Sequence, residues 1–185
     1  MLRNCNVEIR SLKDFPDIPD IEEEGKSFFE NALLKARTVS KITGEAVLAD
    51  DSGLEVDALG GAPGIYSSRY AGPDATDEKN IWKLIGDLKD VAAENRTAAF
   101  RCVLILFRPD GTYETFEGRW PGRIILEPRG KGGFGYDPVF EDPRLGLTAA
   151  ELSPDVKNNV SHRGQAFARF REWLEKTEVK KLRRS

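Results

Sequence analysis

Two acids, Asp50 and Asp51, stand side by side in AVLADDSGLEV, residues 46–56, where a short apolar run meets polar residues and a glycine. Such a pair suits Mg²⁺, which keeps much of its water and is commonly held by one or two carboxylates together with substrate phosphates. Successive strand residues point to opposite faces, so only one of the two would face a metal directly. An Asp turn after a strand would use the same residues for purely local reasons. Upstream, one of Glu22, Glu23 and Glu24 would complete a metal site if the following helix packs beside the strand; a solvated charge run is the competing reading. Lys35, on that helix, carries a compact charge able to neutralise phosphate.

GGFGYDP, residues 132–138, sets Phe134 and Tyr136 among glycines, which lets backbone approach a ligand while a ring offers a stacking surface. Either ring would equally plug the edge of a core. The sole histidine, His162, lies between Ser161 and Arg163 in KNNVSHRGQ, and a single histidine excludes a multi-histidine zinc site. At the start of a helix these residues also read as capping and surface groups.

Positioning these groups requires a strand over 46–49 that ends at the acids, with Leu54 and Val56 as a second extended piece. VEIRSL, residues 7–12, alternates partly and predicts another strand. Ser27 and Glu30 have capping-box spacing, and Phe29, Ala32, Leu33, Ala36 and Ser40 share one stripe until Gly44 stops the helix, leaving Asn31 and Lys35 on another face. Thr76 caps a second helix with Ile81, Leu84, Ile85 and Leu88 on one side. TAAFRCVLILF, residues 97–107, predicts the strongest strand, and RPDG predicts a hairpin back from it. Val139 and Phe140 read as a strand remnant, and a last helix begins near Ser161 and buries Phe167, Phe170 and Leu174. Interspersed helices and strands predict an α/β domain with a mixed sheet.

At 185 residues, 39% of them hydrophobic, the chain is expected to form one domain spanning 1–185. Basic and acidic residues, 28 and 31, nearly balance at a net charge of −3, which disfavours a nucleic acid partner. Cys5 and Cys102 form no paired framework, so a reducing, cytoplasmic setting is expected. No stretch approaches the roughly 18 apolar residues needed to cross a bilayer, and a membrane association is not expected.

ENALLKAR, ADDSGLEVDALGGAPGIYSSRYAG, GGFGYDP and SHRGQA, in this order and spacing, resemble the inosine triphosphate pyrophosphatase family, also called XTP/dITP diphosphatases. The resemblance runs from about residue 14 to 175. It implies an elongated mixed central β-sheet flanked by helices, a homodimer, and Mg²⁺-dependent cleavage of noncanonical purine nucleoside triphosphates (dITP, ITP, XTP, dXTP) to the monophosphate and pyrophosphate. By the same resemblance Asp51 is the general base and a metal ligand, with Glu22 or Glu23 as further metal support. Asp50 and Ser52 are implied beside Asp51 as substrate-binding residues, and Lys35 is implied to contact phosphate. Phe134, Gly135, Tyr136 and Asp137 are implied in the nucleotide loop, and Lys157, Ser161, His162 and Arg163 around the base. The family opens with an apolar strand and an S/T-x-N-x-x-K phosphate loop, for which MLRNCN has no counterpart. A late-assigned start is favoured over a true shortening, and weak dITP hydrolysis by the 185-residue chain is the expectation. The alternatives are a related pyrophosphatase for pyrimidine or modified nucleotides and a noncatalytic nucleotide-binding protein.

Overall fold

The computed structural model describes residues 8–182. Its first long element is helix α1, Phe28–Thr43, which begins where the Ser27 hydroxyl accepts the Glu30 N–H and ends at Gly44, whose φ of 70° supplies the left-handed C-cap. The Glu30 carboxylate reaches back to the Lys26 N–H at 2.7 Å, one residue earlier than a capping box would place it. Phe28, Ala32 and Ala36 of this helix are buried against the sheet.

Strand β1, Val47–Val56, is a single ten-residue strand, so the acids lie in its middle and not at its end. The glycine after them, Gly53, does not break the strand. A Cβ there would lie 2.5 Å from the Gly64 carbonyl oxygen and 2.6 Å from Ser67 Oγ, so glycine admits the loop that crosses the strand. Strand β2, Thr97–Phe107, pairs with β1 so that Ser52 lies opposite Cys102. Strand β3, Tyr113–Ile124, returns along β2 through the expected hairpin, followed by β4, Phe140–Asp142, and β5, Leu147–Thr148. The order is β1-β2-β3-β4-β5, and every pairing among the described strands is antiparallel. β1 therefore has a free lateral edge within the described sheet.

Side-chain alternation divides the sheet into two faces. Val103, Ile105 and Phe107 meet α1 on one, whereas Cys102, Leu104 and Phe116 meet the last helix, α4, His162–Leu182, on the other. Farther along that second face, Leu54, Val56, Phe100, Trp120 and Phe140 pack with helix α2, Asp77–Leu88. Thr76 caps α2 as its sequence implies. A short helix α3, Pro154–Val160, which periodicity over seven residues could not reveal, precedes α4.

The strand expected over 7–12 is not observed in its described part. Residues 8–11 have no regular structure and Leu12–Asp14 forms a 3₁₀ turn, because Asp14 Oδ2 accepts from the Ser11 N–H at 2.7 Å and no strand among the described residues pairs with them. Val7 lies outside the described residues.

Helix α4 lies close against the sheet at Gly118 on β3. A Cβ at this position would overlap the His162 carbonyl, backbone that cannot yield locally. Gly118→Ala is expected to cost about 1–3 kcal/mol, measured by urea unfolding, with α4 displaced at its first turn.

Candidate active site

β1 alternation sends the two acids apart. Asp51 turns toward α1, where its Oδ2 accepts from Asn31 Nδ2 at 3.2 Å and its Oδ1 from Lys35 Nζ at 3.1 Å. The same Lys35 ammonium donates to Glu23 Oε1 at 3.0 Å. Asn31 also accepts the Gly25 N–H at 2.8 Å, which ties the segment carrying Glu23 to the helix. Arg69, from the loop after β1, closes the cluster with 3.4 Å to Glu23 Oε2 and 3.3 Å to the Glu23 carbonyl. Glu22 is exposed and does not join it, so Glu23 is the glutamate brought to Asp51.

Burial pushes the Asp51 carboxyl above its ordinary pKa, against the opposing pull of Lys35. Burial alone would depress the Lys35 ammonium, but the Glu23 and Asp51 carboxylates outweigh it and hold its pKa up.

Asp50 turns to the opposite face. Its Oδ2 accepts from Arg163 Nη2 of α4 at 2.6 Å and from Ser52 Oγ at 3.0 Å. Asp50 therefore positions Arg163 across 113 residues of sequence. Both acids nevertheless border one cavity of about 300 Å³, together with Glu23, Lys35, Ser52 and Arg163. The free edge of β1 explains how. Leu54 and Val56 direct their N–H groups away from β2, to Ser67 Oγ and the Ala62 carbonyl. Strand alternation aims the Asp50 and Ser52 N–H groups the same way, so the cavity wraps the edge and meets side chains from both faces.

The aromatic loop lies beyond Arg163. Phe134 is 64% exposed, with Lys157 Nζ 5.1 Å and Arg163 Cζ 6.0 Å from its ring centroid. The Asp137 carboxylate accepts the Phe134 N–H at 2.8 Å and pairs with Lys157, while the Gly135 N–H donates to Asp77 at 2.7 Å. At Gly133, φ is +77° and a side chain would collide with Asp137, so this turn needs glycine. Tyr136 is buried and its hydroxyl donates to the Ser67 carbonyl at 2.8 Å. Ser161 accepts the Gly164 N–H at 3.1 Å and serves as a cap.

His162 is buried with its ring stacked on Phe100 at 4.9 Å, and its Nδ1 has no hydrogen-bond partner. Desolvation, followed by the charges of Arg163 and Lys157, lowers its pKa to about 3, so the imidazole is neutral near pH 7.

Of the residues named from sequence, Asp51, Glu23 and Lys35 form one group and Phe134, Asp137, Lys157 and Arg163 another, with Asp50 and Ser52 between them. Arg69 and Ser68, which also borders the cavity, were not singled out. Nothing in the spacing of GIYSSRYAG indicates that Arg69 reaches a glutamate 46 positions away.

The donor set fits a divalent cation in one respect: two carboxylates already converge on a single positive charge. Among the described residues no three His, Cys, Asp or Glu side chains form a complete cage. A metal here would therefore draw ligands from water and substrate.

The arrangement defines an α/β protein with a cavity of acidic and basic side chains on a sheet edge and, beyond Arg163, an exposed aromatic ring. The chain belongs to the Ham1 family, whose model it matches over residues 1–173. It is 55% identical over 164 residues to a dITP/XTP pyrophosphatase of Geobacter sulfurreducens, covering 89% of this chain and 82% of the relative. It is 57% identical over 169 residues to a dITP/XTP pyrophosphatase of Shigella flexneri, covering 90% and 85%. The solved structure of a HAM1 protein from Coxiella burnetii superposes with a TM-score of 0.90 at 46% identity, covering 95% of this chain and 89% of that one. These relatives agree with the resemblance carried by the four motifs.

The buried histidine has a measurable consequence. Its folded pKa lies below the ordinary value of 6.5, so the unfolded chain binds the proton more readily. Its contribution to stability is complete above pH ~6.5 and is lost as pH falls toward 3, with a slope of at most about 1.4 kcal/mol per pH unit. His162→Phe, which keeps a ring against Phe100, is expected to flatten the decline in melting temperature between pH 7 and pH 4.5 relative to the unmodified protein.

Proposed function

We propose that the protein hydrolyses noncanonical purine nucleoside triphosphates, dITP, ITP, XTP and dXTP, to the monophosphate and pyrophosphate with Mg²⁺. The observation that carries this reading is the cavity on the β1 edge, where the Asp51, Glu23 and Lys35 cluster is joined through Asp50 and Arg163 to the exposed Phe134 ring. The names of relatives at 55% and 57% identity support it.

Glu23 and Asp51 would hold the metal. When bound, Mg²⁺ neutralises phosphate charge and makes a coordinated water more acidic. Asp51, beside the metal, would orient a water and take its proton as the water attacks the α-phosphorus. Lys35 would offset charge on the phosphates, and pyrophosphate would leave. Phe134 supplies the face for the purine, with Lys157 beneath it. Arg163, held by Asp50, offers donors to a 6-oxo group. Adenine presents an amino donor there instead, and a buried donor left unpaired costs about 1–3 kcal/mol.

We take the chain to be a single domain that works as a homodimer in the cytoplasm, without nucleic acid; the dimer rests on the family resemblance, the single domain on length, the compartment on cysteine usage and the lack of nucleic acid on the near-balanced charge. Among the described residues no helix is long and apolar enough to cross a membrane.

A panel of ITP, dITP, XTP, ATP, dUTP and dTTP, with pyrophosphate as the measured product, tests the reading. ITP and XTP are expected to exceed ATP by about 10- to 100-fold in kcat/KM, one unpaired donor's worth. Equal turnover of ATP, or preference for dUTP, would reject it. Asp51→Asn is expected to lose at least ~100-fold in kcat while still binding IMP, as removal of a general base commonly does. Asp50→Asn should leave kcat within a few-fold but raise KM for ITP and narrow the ITP/ATP ratio, since it frees Arg163 without touching Asp51.

A further inference from the structure

We propose that Lys35 is an exchangeable cation that bars the Glu23 and Asp51 carboxylates from a divalent metal until a polyphosphate draws its ammonium away. This rests on the reading of the site as a metal-assisted phosphohydrolase. The structure places one Nζ between the two acids, 3.0 Å from Glu23 Oε1 and 3.1 Å from Asp51 Oδ1.

The remaining oxygens are also engaged: Asp51 Oδ2 accepts from Asn31 at 3.2 Å and Glu23 Oε2 pairs with Arg69 at 3.4 Å. All four carboxylate oxygens thus have a partner from this chain, and the position between the two acids, where one ion would bridge both, is held by the Lys35 ammonium. Asn31 is fully buried and fixed on its other side by the Gly25 N–H, so it is the least able to leave. Arg69 is more exposed but of the two acids touches Glu23 alone, whereas Lys35 is the one partner shared by both. Its ammonium ends a flexible four-carbon stem, and its side chain is 23% exposed at the cavity.

The exchange is driven by charge. The Glu23 and Asp51 side chains are only 27% and 9% exposed, so without a cation between them two shielded anions would repel. A magnesium ion sits about 2.0–2.1 Å from its carboxylate oxygens, which would bring it against an ammonium 3.0 and 3.1 Å from the same atoms. The two cations exclude one another. A polyphosphate arriving with its own metal resolves the conflict, because its oxygens accept the displaced ammonium while the carboxylates take the metal. Metal and polyphosphate therefore bind with positive coupling, and by linkage each strengthens the other equally.

The test is a Mn²⁺ titration of the free protein without nucleotide, read by the EPR signal of unbound Mn²⁺. The unmodified protein is expected to bind Mn²⁺ only at about millimolar concentration. Lys35→Met is expected to bind it about tenfold or more tightly, the size of effect one adjacent charge commonly imposes. Lys35→Arg, which keeps a cation in place, should stay close to the unmodified protein. Micromolar Mn²⁺ binding by the unmodified protein would overturn the proposal, whether or not the variants fold. So would a Met variant, folded by circular dichroism, that binds Mn²⁺ no more tightly. Because no nucleotide is present, a failed hydrolysis panel leaves this result interpretable, and a failed titration leaves the substrate assignment untouched.

Discussion

Two consecutive residues of a β-strand cannot present their side chains to the same face, and the organisation of the site follows from that constraint acting on Asp50 and Asp51. In the interior of a sheet the alternation would send the two carboxylates into separate compartments. On β1 the strand's other side is unpaired among the described strands, so both faces curve into a common cavity. Adjacent acids acquire different partners, a lysine and an asparagine for one, an arginine and a serine for the other, yet remain a few ångströms of backbone apart. One strand thereby anchors the Lys35 ion-pair cluster and orients an arginine that faces an aromatic ring.

Local signals made much of the frame legible. Ser27 and Gly44 bound α1, Thr76 starts α2, and 97–107 is a strand to the residue, because caps and uninterrupted apolar runs are encoded by neighbours in sequence. β1 was read as shorter because Asp50, Asp51 and Gly53 each favour turns. What overrides them is non-local: pairing of all ten positions of β1 with β2, and a loop that packs where Gly53 has no side chain. The expectation for 8–11 failed for the converse reason, since alternation without a partner strand gives no ladder.

The site was legible in its chemistry and not in its wiring. Residue types pointed to carboxylates, a lysine and an aromatic loop, and alternation already implied that one acid would stand apart from a metal. That Asp50 instead holds Arg163, and that Glu23 rather than Glu22 reaches Lys35, depends on how α4 and the segment before α1 pack. No local pattern carries that information. The ordinary lysine reading, a phosphate contact, was incomplete as well: Lys35 already has two carboxylate partners.

The strand that carries the acids and the aromatic loop are coupled through Ser67. Its hydroxyl accepts the Leu54 N–H on β1 at 2.9 Å and donates to the Gly64 carbonyl at 2.6 Å, while its own carbonyl accepts from Tyr136 of the aromatic loop at 2.8 Å. Asn80 of α2 fixes the following turn, donating to the Ser68 carbonyl at 3.1 Å and accepting the Ala71 N–H at 2.7 Å. These bonds are buried or partly buried, so breaking one would leave a polar group without water and cost about 1–3 kcal/mol. The loop that carries the stacking ring is therefore registered against the strand that carries the acids by short-range, directional contacts. In the proposed reaction a ring stacked on Phe134 would be held at a fixed span from Asp51 by these backbone-anchored contacts, so that one end would select a base while the other acted on a phosphate.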